Sequence, residues 1–372
     1  MLSCLVRAYP TPAWQGYTHG IKAHGGVSLT ANGGKGDSMP SNSPKTNTLV
    51  KPNFTWALEA QSLTKVFRTK NAQGKPQDLL AVNRLNLTIA PGEIVAFLGP
   101  NGAGKSTTIK MLTGILQPTS GQAQVLGLVP WKDRSALAYR VGSVFGQKSQ
   151  LWFHLPAGES FRLLGAIYEL DKATLARRTT ELVDRFDLGS FFHQPIRKLS
   201  LGQRMRCEIA ASFLHTPEIL FLDEPTIGLD VVVKQEIRKL LLELNRERGT
   251  TILLTSHDIS DVEKVCQRAI IIHHGQVVVD ETVRQLKRQA MVGKLIALRF
   301  ATPVQPQPCL GLTLLKNSGD GMGYKFQADT INHKLSTLLS HLTTQGEVED
   351  ITIEDEPLEN LISQIFQTKS PL

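Results

Sequence analysis

Ile94-Val-Ala-Phe-Leu98 runs directly into Gly99-Pro-Asn-Gly-Ala-Gly-Lys-Ser-Thr107. The continuous apolar run reads as a short strand buried on both faces. The segment after it fits GxxxxGK[ST]. Its glycines let the backbone curl so that N–H groups converge on phosphate oxygens. Lys105 reaches the terminal phosphates, and Ser106 offers its hydroxyl to Mg²⁺. A helix predicted over Ser106 to Leu112 aims its positive end at the same phosphates. Strand, loop and helix in that order make Gly99, Pro100, Asn101, Gly102, Ala103, Gly104, Lys105, Ser106 and Thr107 the expected nucleotide cradle.

On either side the chain alternates strands with helices. Ile219-Leu-Phe-Leu222 and Thr251-Ile-Leu-Leu254 are further continuous apolar runs, and a helical stretch, Lys234 to Glu247, lies between them. This order predicts an α/β domain with a largely parallel central sheet. Leu58 to Leu63 and Leu85 to Ile89 mix apolar and polar positions and read as half-buried strands. Gly74 and Pro76 mark the hairpin loop between them. Glu159 to Arg185 carries helical spacing through Leu163, Leu164, Ile167, Leu175, Leu182 and Val183, which predicts a mostly helical insert. After Arg288 come a strand at Leu295–Phe300, a glycine-rich turn at Gly319–Gly323, a helix around Ile331–Leu342, a strand at Val348–Ile353 and a last helix near Leu358–Phe366. The expected domains are therefore a tail over 1–55, a nucleotide-binding domain over 56–288 with a helical subdomain at about 148–215, and a small α+β appendage over 289–372.

The tail is rich in Gly, Ser, Asn, Thr and Pro, as in Thr30-Ala-Asn-Gly-Gly-Lys-Gly-Asp-Ser38, and holds no strand or helix period. It is expected to be disordered. It lacks the continuous apolar core of a signal peptide. The change in composition makes Met39 a candidate translation start. Of the formal net charge of +8, the tail contributes Arg7, Lys22, Lys35, Lys45 and Lys51 against Asp37, so the remainder is only mildly basic and does not by itself argue for nucleic acid. Cys4, Cys207, Cys266 and Cys309 are scattered, with no metal-binding or redox spacing. No apolar run approaches the roughly 20 residues of a membrane span, so work at a membrane has to go through a partner.

Ile219-Leu-Phe-Leu-Asp-Glu224 is an apolar strand that ends in two acids. Adjacent buried carboxylates need a reason, and a strand end beside the phosphate loop supplies one. Asp223 can hold Mg²⁺ through water. Glu224 can act as general base toward the attacking water.

Five further segments complete a pattern. Leu199-Ser-Leu-Gly-Gln203 resembles the LSGGQ signature of the ATP-binding cassette (ABC) family. Gln147 in Val144-Phe-Gly-Gln147 resembles its Q-loop glutamine, Gly228-Leu-Asp230 its D-loop, and His257 in Thr255-Ser-His-Asp258 its switch histidine. Phe67 sits where the family stacks an aromatic on adenine. The motifs follow the family's order over about residues 57 to 285. The resemblance implies an α/β P-loop NTPase cassette that hydrolyses ATP with Mg²⁺ in a head-to-tail dimer, as a homodimer or with a paired cassette subunit. It makes Glu224, His257 and Gln147 the catalytic residues. Ser106, Gln147 and Asp223 become the metal ligands. Ser200, Gly202, Gln203 and Asp230 join Phe67 and the phosphate loop as nucleotide contacts. Leu201 departs from the pattern, standing where the family has Gly.

The same resemblance, closest in character to bacterial exporter-type cassettes, implies a motor at the cytoplasmic face of the membrane, held there by a polytopic permease. Trp152, Phe153 and Leu155 are candidate permease contacts. Cassettes that act on nucleic acid, ribosomes or cluster assembly form the other class. Their marks are missing here: no sustained heptads separate Lys105 from Ser200, one GxxxxGK[ST] is present, and zinc-binding cysteines are lacking. No nucleic-acid partner is expected. A ligand-sensing or a dimerising role is open for the appendage.

Overall fold

The computed structural model describes residues 54–70, 74–146, 149–256, 258–290, 293–307, 309–355 and 358–368. The chain divides into Met1–Asn53 and Phe54–Leu372. The first unit, and with it the expectations of a disordered tail and a start at Met39, lies outside the described residues.

In chain order the elements are β1 (Leu58–Lys70), β2 (Pro76–Ile89), β3 (Ile94–Leu98), α1 (Lys105–Leu112), β4 (Ser120–Val125), α2 (Arg134–Ala138) and β5 (Val141–Phe145). Then follow α3 (Ala157–Ile167), α4 (Lys172–Arg185), a 3₁₀ turn at Ile196–Lys198, α5 (Leu201–Ser212), β6 (Ile219–Asp223), α6 (Val231–Arg248), β7 (Thr251–Thr255) and α7 (Ile259–Val265). The chain continues with β8 (Arg268–His273), β9 (Gln276–Thr282), α8 (Val283–Ala290), β10 (Gly293–Phe300), β11 (Leu312–Asn317), β12 (Gly323–Asp329), α9 (Leu335–Thr343), β13 (Val348–Asp355) and α10 (Leu358–Thr368).

Among the described residues three sheets form. The central one has the order β5-β6-β7-β3-β8-β9. Its first five strands run parallel, and β9 returns antiparallel to β8. Every residue of β3 and β7 is buried, as a strand covered on both faces requires. The order β2-β1-β4 makes a second, antiparallel sheet. Its inner residues Leu58, Leu63, Leu85, Leu87 and Ile89 share one core with Phe97, Ile109, Leu112 and Phe221. Each such buried side chain contributes roughly 1.5–3 kcal/mol. Phe54 packs against this core, so the core extends at least two residues before the expected boundary at 56.

The insert is helical as expected. Phe161 meets Phe192 edge to face, with centroids 5.2 Å apart. Asp171 caps α4 by accepting from the Thr174 N–H at 2.9 Å. Two expectations of extent change. The hairpin strands reach Lys70 and start again at Pro76, well beyond Leu63 and before Leu85. The tips of these arms, residues 68–70 and 76–80, are exposed, so no apolar alternation marks them. The expected boundary at 288 falls inside α8, because that helix buries Val283 and Leu286 and ends at Ala290.

The appendage is a sheet of order β11-β12-β10-β13. Ile296, Leu298, Phe300, Tyr324 and Phe326 line one face under Leu338 and Leu342 of α9. On α10, Phe366 stacks on His273 at the end of β8, with centroids 5.7 Å apart.

Candidate active site

The parallel register brings the motif-bearing strand ends together. Phe145, Asp223 and Thr255 stand side by side at the C-terminal ends of β5, β6 and β7. The loop from Gly99 leaves the same edge of β3. Open α/β sheets bind ligands at this edge.

The phosphate loop is held by its surroundings. A β-carbon on Gly99 would lie 2.3 Å from the Ile272 carbonyl oxygen, so β8 allows only glycine there. Gly104 has φ 103°, a left-handed turn that starts α1 and that other residues rarely adopt. The Gly275 N–H donates to the Ala103 carbonyl at 3.0 Å and clamps the loop from behind. Lys105 is buried, and its Nζ donates to the Gly99 and Pro100 carbonyls at 2.5 and 3.1 Å. Burial pulls its pKa below the ordinary lysine value, and the charges of Glu224 and Asp223 oppose that shift.

Asp223 is gripped from two sides. Ser106 Oγ donates to Oδ2 at 3.0 Å, and Thr255 Oγ1 donates to Oδ1 at 2.7 Å. Thr255 in turn accepts from the Glu224 N–H at 3.0 Å. Glu224 takes a left-handed backbone, φ 57°, which turns the chain sharply after the strand. A non-glycine residue in this region is strained, and such strain concentrates at functional positions. Ser106 and Asp223 are hard oxygen donors in contact, with one carboxylate between them. That set fits Mg²⁺, which takes few protein ligands and completes its shell with phosphate and water. Among the described residues no group of three or more His, Cys, Asp or Glu could hold a metal ion by itself.

The signature stands at the start of α5. Ser200 Oγ accepts from the Gln203 N–H at 3.2 Å, and Gln203 Oε1 accepts from the Ser200 N–H at 2.9 Å, a capping box that shapes this helix end. Gly202 lies against Val233 of α6. A β-carbon on Gly228 would meet Leu201 Cδ2 at 3.1 Å. The residue that departs from LSGGQ therefore leans on the D-loop of its own chain. Asp230 caps α6, accepting from the Val233 N–H at 2.9 Å. Phe67 is half-buried on β1 opposite Leu79, with Lys65 Nζ 5.3 Å from its ring centre. Gln147 and His257 lie outside the described residues; Gly146 before the first, and Ser256 and Asp258 on either side of the second, are described.

Some residues of this neighbourhood escaped the sequence reading. Thr255 is one, although it adjoins the Ser-His-Asp segment. Glu208 is another: buried on α5, it accepts from Ser149 Oγ and from the Gln150 N–H at 3.1 Å, tying the segment after Gln147 to the signature helix. Burial pushes its carboxyl above the usual range, against these hydrogen bonds. Neither contact has a local sequence signal, since each partner lies dozens of residues away.

Comparison with known proteins shows the family. The ABC transporter family profile matches residues 82–227. The chain is 33% identical over 210 residues to the ABC transporter ATP-binding protein NatA of Bacillus subtilis, a match over 56% of this chain and 85% of that protein. It is 31% identical over 298 residues to the bacitracin transport ATP-binding protein BcrA of Bacillus licheniformis, over 80% of this chain and 90% of that protein. Among solved structures it is similar to the dimeric post-hydrolysis state of the ATP-binding cassette MJ0796 bound to ADP and Pi, at TM-score 0.55 and 28% identity, covering 61% of this chain and 99% of that one. The chain belongs to the family of ABC transporter ATP-binding proteins. It is the ATP-binding, ATP-hydrolysing subunit of such a transporter, and subunits of this kind dimerise and work with a membrane permease. Among the described residues no helix is long and apolar enough to cross a membrane.

Proposed function

We propose that this subunit hydrolyses MgATP between two cassettes paired head to tail and drives export through a separate polytopic permease, from the cytoplasmic face of the membrane. The observation that carries the chemistry is Asp223 held between Ser106 and Thr255 beside Lys105.

The loop 99–107 wraps the phosphates with its N–H groups, and Phe67 stacks on the base. Lys105 exchanges its carbonyl partners for terminal phosphate oxygens. Ser106, Asp223 and Gln147 would hold Mg²⁺, which supplies charge neutralisation on the phosphates. Glu224 accepts the proton of the attacking water, and His257 contacts the γ-phosphate and orients that water. Ser200, Gly202 and Gln203 of one protomer meet the phosphate held by its partner, where the N-terminus of α5 favours an anion. Asp230 lies at the same interface.

Phe153, Leu163 and Ile167 are exposed apolar residues on and just before α3. With half-buried Trp152 and Leu155 they form the surface offered to the permease. Export follows the character of the relatives: BcrA is a bacitracin transport protein and DrrA of Streptomyces peucetius, 35% identical over 67% of its length, a daunorubicin/doxorubicin resistance protein. Glu224→Gln should retain ATP, lose at least roughly 100-fold in turnover, and accumulate as an ATP-dependent dimer on size exclusion. Near-normal turnover would overturn the general-base assignment.

A further inference from the structure

One buried carboxylate lies behind the site rather than in it. Asp261, on α7, is 1% exposed. It accepts from three segments that carry different motifs. Thr226 Oγ1 donates to it from the turn that follows Glu224. Ser256 Oγ, next to His257, donates at 3.0 Å. Arg238 Nε, on the helix capped by Asp230, donates at 2.6 Å. Arg238 is itself buried and also donates to Ser260 Oγ at 2.8 Å. Ser260 Oγ passes this on to Asp258 Oδ1 at 2.6 Å, and Lys234 of the same helix reaches Asp258 Oδ2 at 2.6 Å.

A buried ion pair is weak evidence for added stability, because well-packed apolar residues of similar volume often serve as well or better. What it does supply is direction: charge-assisted hydrogen bonds fix donor positions tightly. Here the fixed donors are two residues after Glu224, one residue before His257, and two turns into the helix that begins at the D-loop.

We propose that Asp261 is a positioning residue for hydrolysis. It locks the Glu224 turn and Ser256, the residue before His257, to Arg238, so that the water-activating geometry follows the seating of α6 and its Asp230 end against the partner cassette. Asp261 touches no substrate. Its effect is on the rate of the chemical step and not on nucleotide binding, which rests on the loop 99–107. This inference depends on reading Glu224 and His257 as the water-handling pair.

The test uses the full chain. In Asp261→Leu with Arg238→Met, apolar side chains replace the pair, so the fold survives while the link is gone. Thermal midpoint, affinity for a fluorescent ATP analogue, and KM and kcat for MgATP are measured. The expected result is a midpoint within a few degrees of the parent, affinity and KM within about threefold, and kcat reduced by roughly 30-fold or more, since displacement of reacting groups by about 1 Å costs on the order of 100-fold. A kcat within about threefold of the parent overturns the proposal. Thr226→Val gives a second readout that keeps the ion pair and removes one donor. It should lower kcat several-fold at unchanged KM, and parental kcat in a folded Thr226→Val protein also overturns the proposal. Glu224→Gln separates the two levels. If it loses turnover while these variants keep theirs, only the role of Asp261 fails; if it keeps turnover, the reading of Glu224 fails.

Discussion

Ser106 Oγ donates to Asp223 Oδ2 across 3.0 Å, joining residues 117 positions apart in the chain. One comes from the first turn of α1 and the other from the last position of β6, so the contact exists only because β3 and β6 lie in one parallel sheet with β7 between them. It also separates nucleotide holding from metal-dependent turnover. Asp223→Asn should leave metal-free ATP affinity within a few-fold of the parent and reduce Mg²⁺-dependent hydrolysis by roughly 100-fold. Binding in EDTA and steady-state ATPase with a Mg²⁺ titration measure the two; parental ATPase at saturating Mg²⁺ would refute the assignment.

Lys105→Ala should act on the other side of that division. The ammonium is the charge that the loop presents to phosphate, and a charged hydrogen-bond partner is worth about 1.5–3 kcal/mol. ATP affinity should fall by more than about tenfold. Equilibrium titration with a fluorescent nucleotide decides this, and unchanged affinity would undo the phosphate-loop assignment.

Leu201 is 37% exposed and leans on Gly228. Leu201→Gly restores the usual signature and removes that contact. Gly in an exposed helical position costs up to about 1 kcal/mol, so the thermal midpoint should fall by a few degrees. ATPase should stay within several-fold of the parent, because Ser200, Gly202 and Gln203 keep their backbone. Complete loss of ATPase would show that Leu201 has a part in turnover.

His215 gives a pH dependence. It is buried under Tyr168, with ring centroids 3.9 Å apart, and its Nε2 lies 3.1 Å from the Val141 carbonyl. Burial pulls its pKa down to about 4, against the hydrogen bond to that carbonyl. An imidazole in the unfolded chain titrates near 6.5 (about). As pH falls, the unfolded state takes up the proton first. The contribution of His215 is therefore complete above about pH 6.5 and is lost progressively as pH falls toward about 4. Thermal midpoints recorded from pH 7 to pH 4 should fall less steeply in His215→Gln than in the parent. Parallel curves would contradict this origin.

Phe366 on α10 stacks on His273, two residues before the Gly275 that clamps the phosphate loop. Phe366→Ala removes the stack, worth about 0.5–1.5 kcal/mol beyond buried area. The midpoint should drop by several degrees, with hydrogen exchange rising first at the turn over 273–275. Unchanged exchange there would show that the appendage does not brace this turn.

The phosphate loop, the acid pair after Ile219–Leu222 and the signature were legible because each is marked by neighbours in sequence, even where its partners lie far away. Glycine spacing, an apolar run and a helix start are local facts. The strands β11 and β12 were missed. Most of β11 is exposed, so its Leu-Thr-Leu-Leu shows no clean period. Tyr324, Phe326 and Ala328 do alternate on β12, but over a short run that follows closely on a glycine-rich turn. The tips of β1 and β2, residues 68–70 and 76–80, escaped for the same reason, since no buried face imposes a pattern there.

Local motif order sufficed for the family and its ATPase class, because a loop of backbone N–H groups, a lysine and acids at a strand end are each marked by adjacent residues. Which distant side chains support that chemistry was a matter of tertiary structure. Thr255 beside Asp223, Glu208 beneath the segment after Gln147, and Asp261 joining Thr226, Ser256 and Arg238 are set by strand register and helix packing. Buried polar groups must find partners, but sequence alone does not say where those partners will be until the sheet has closed the long loops between them.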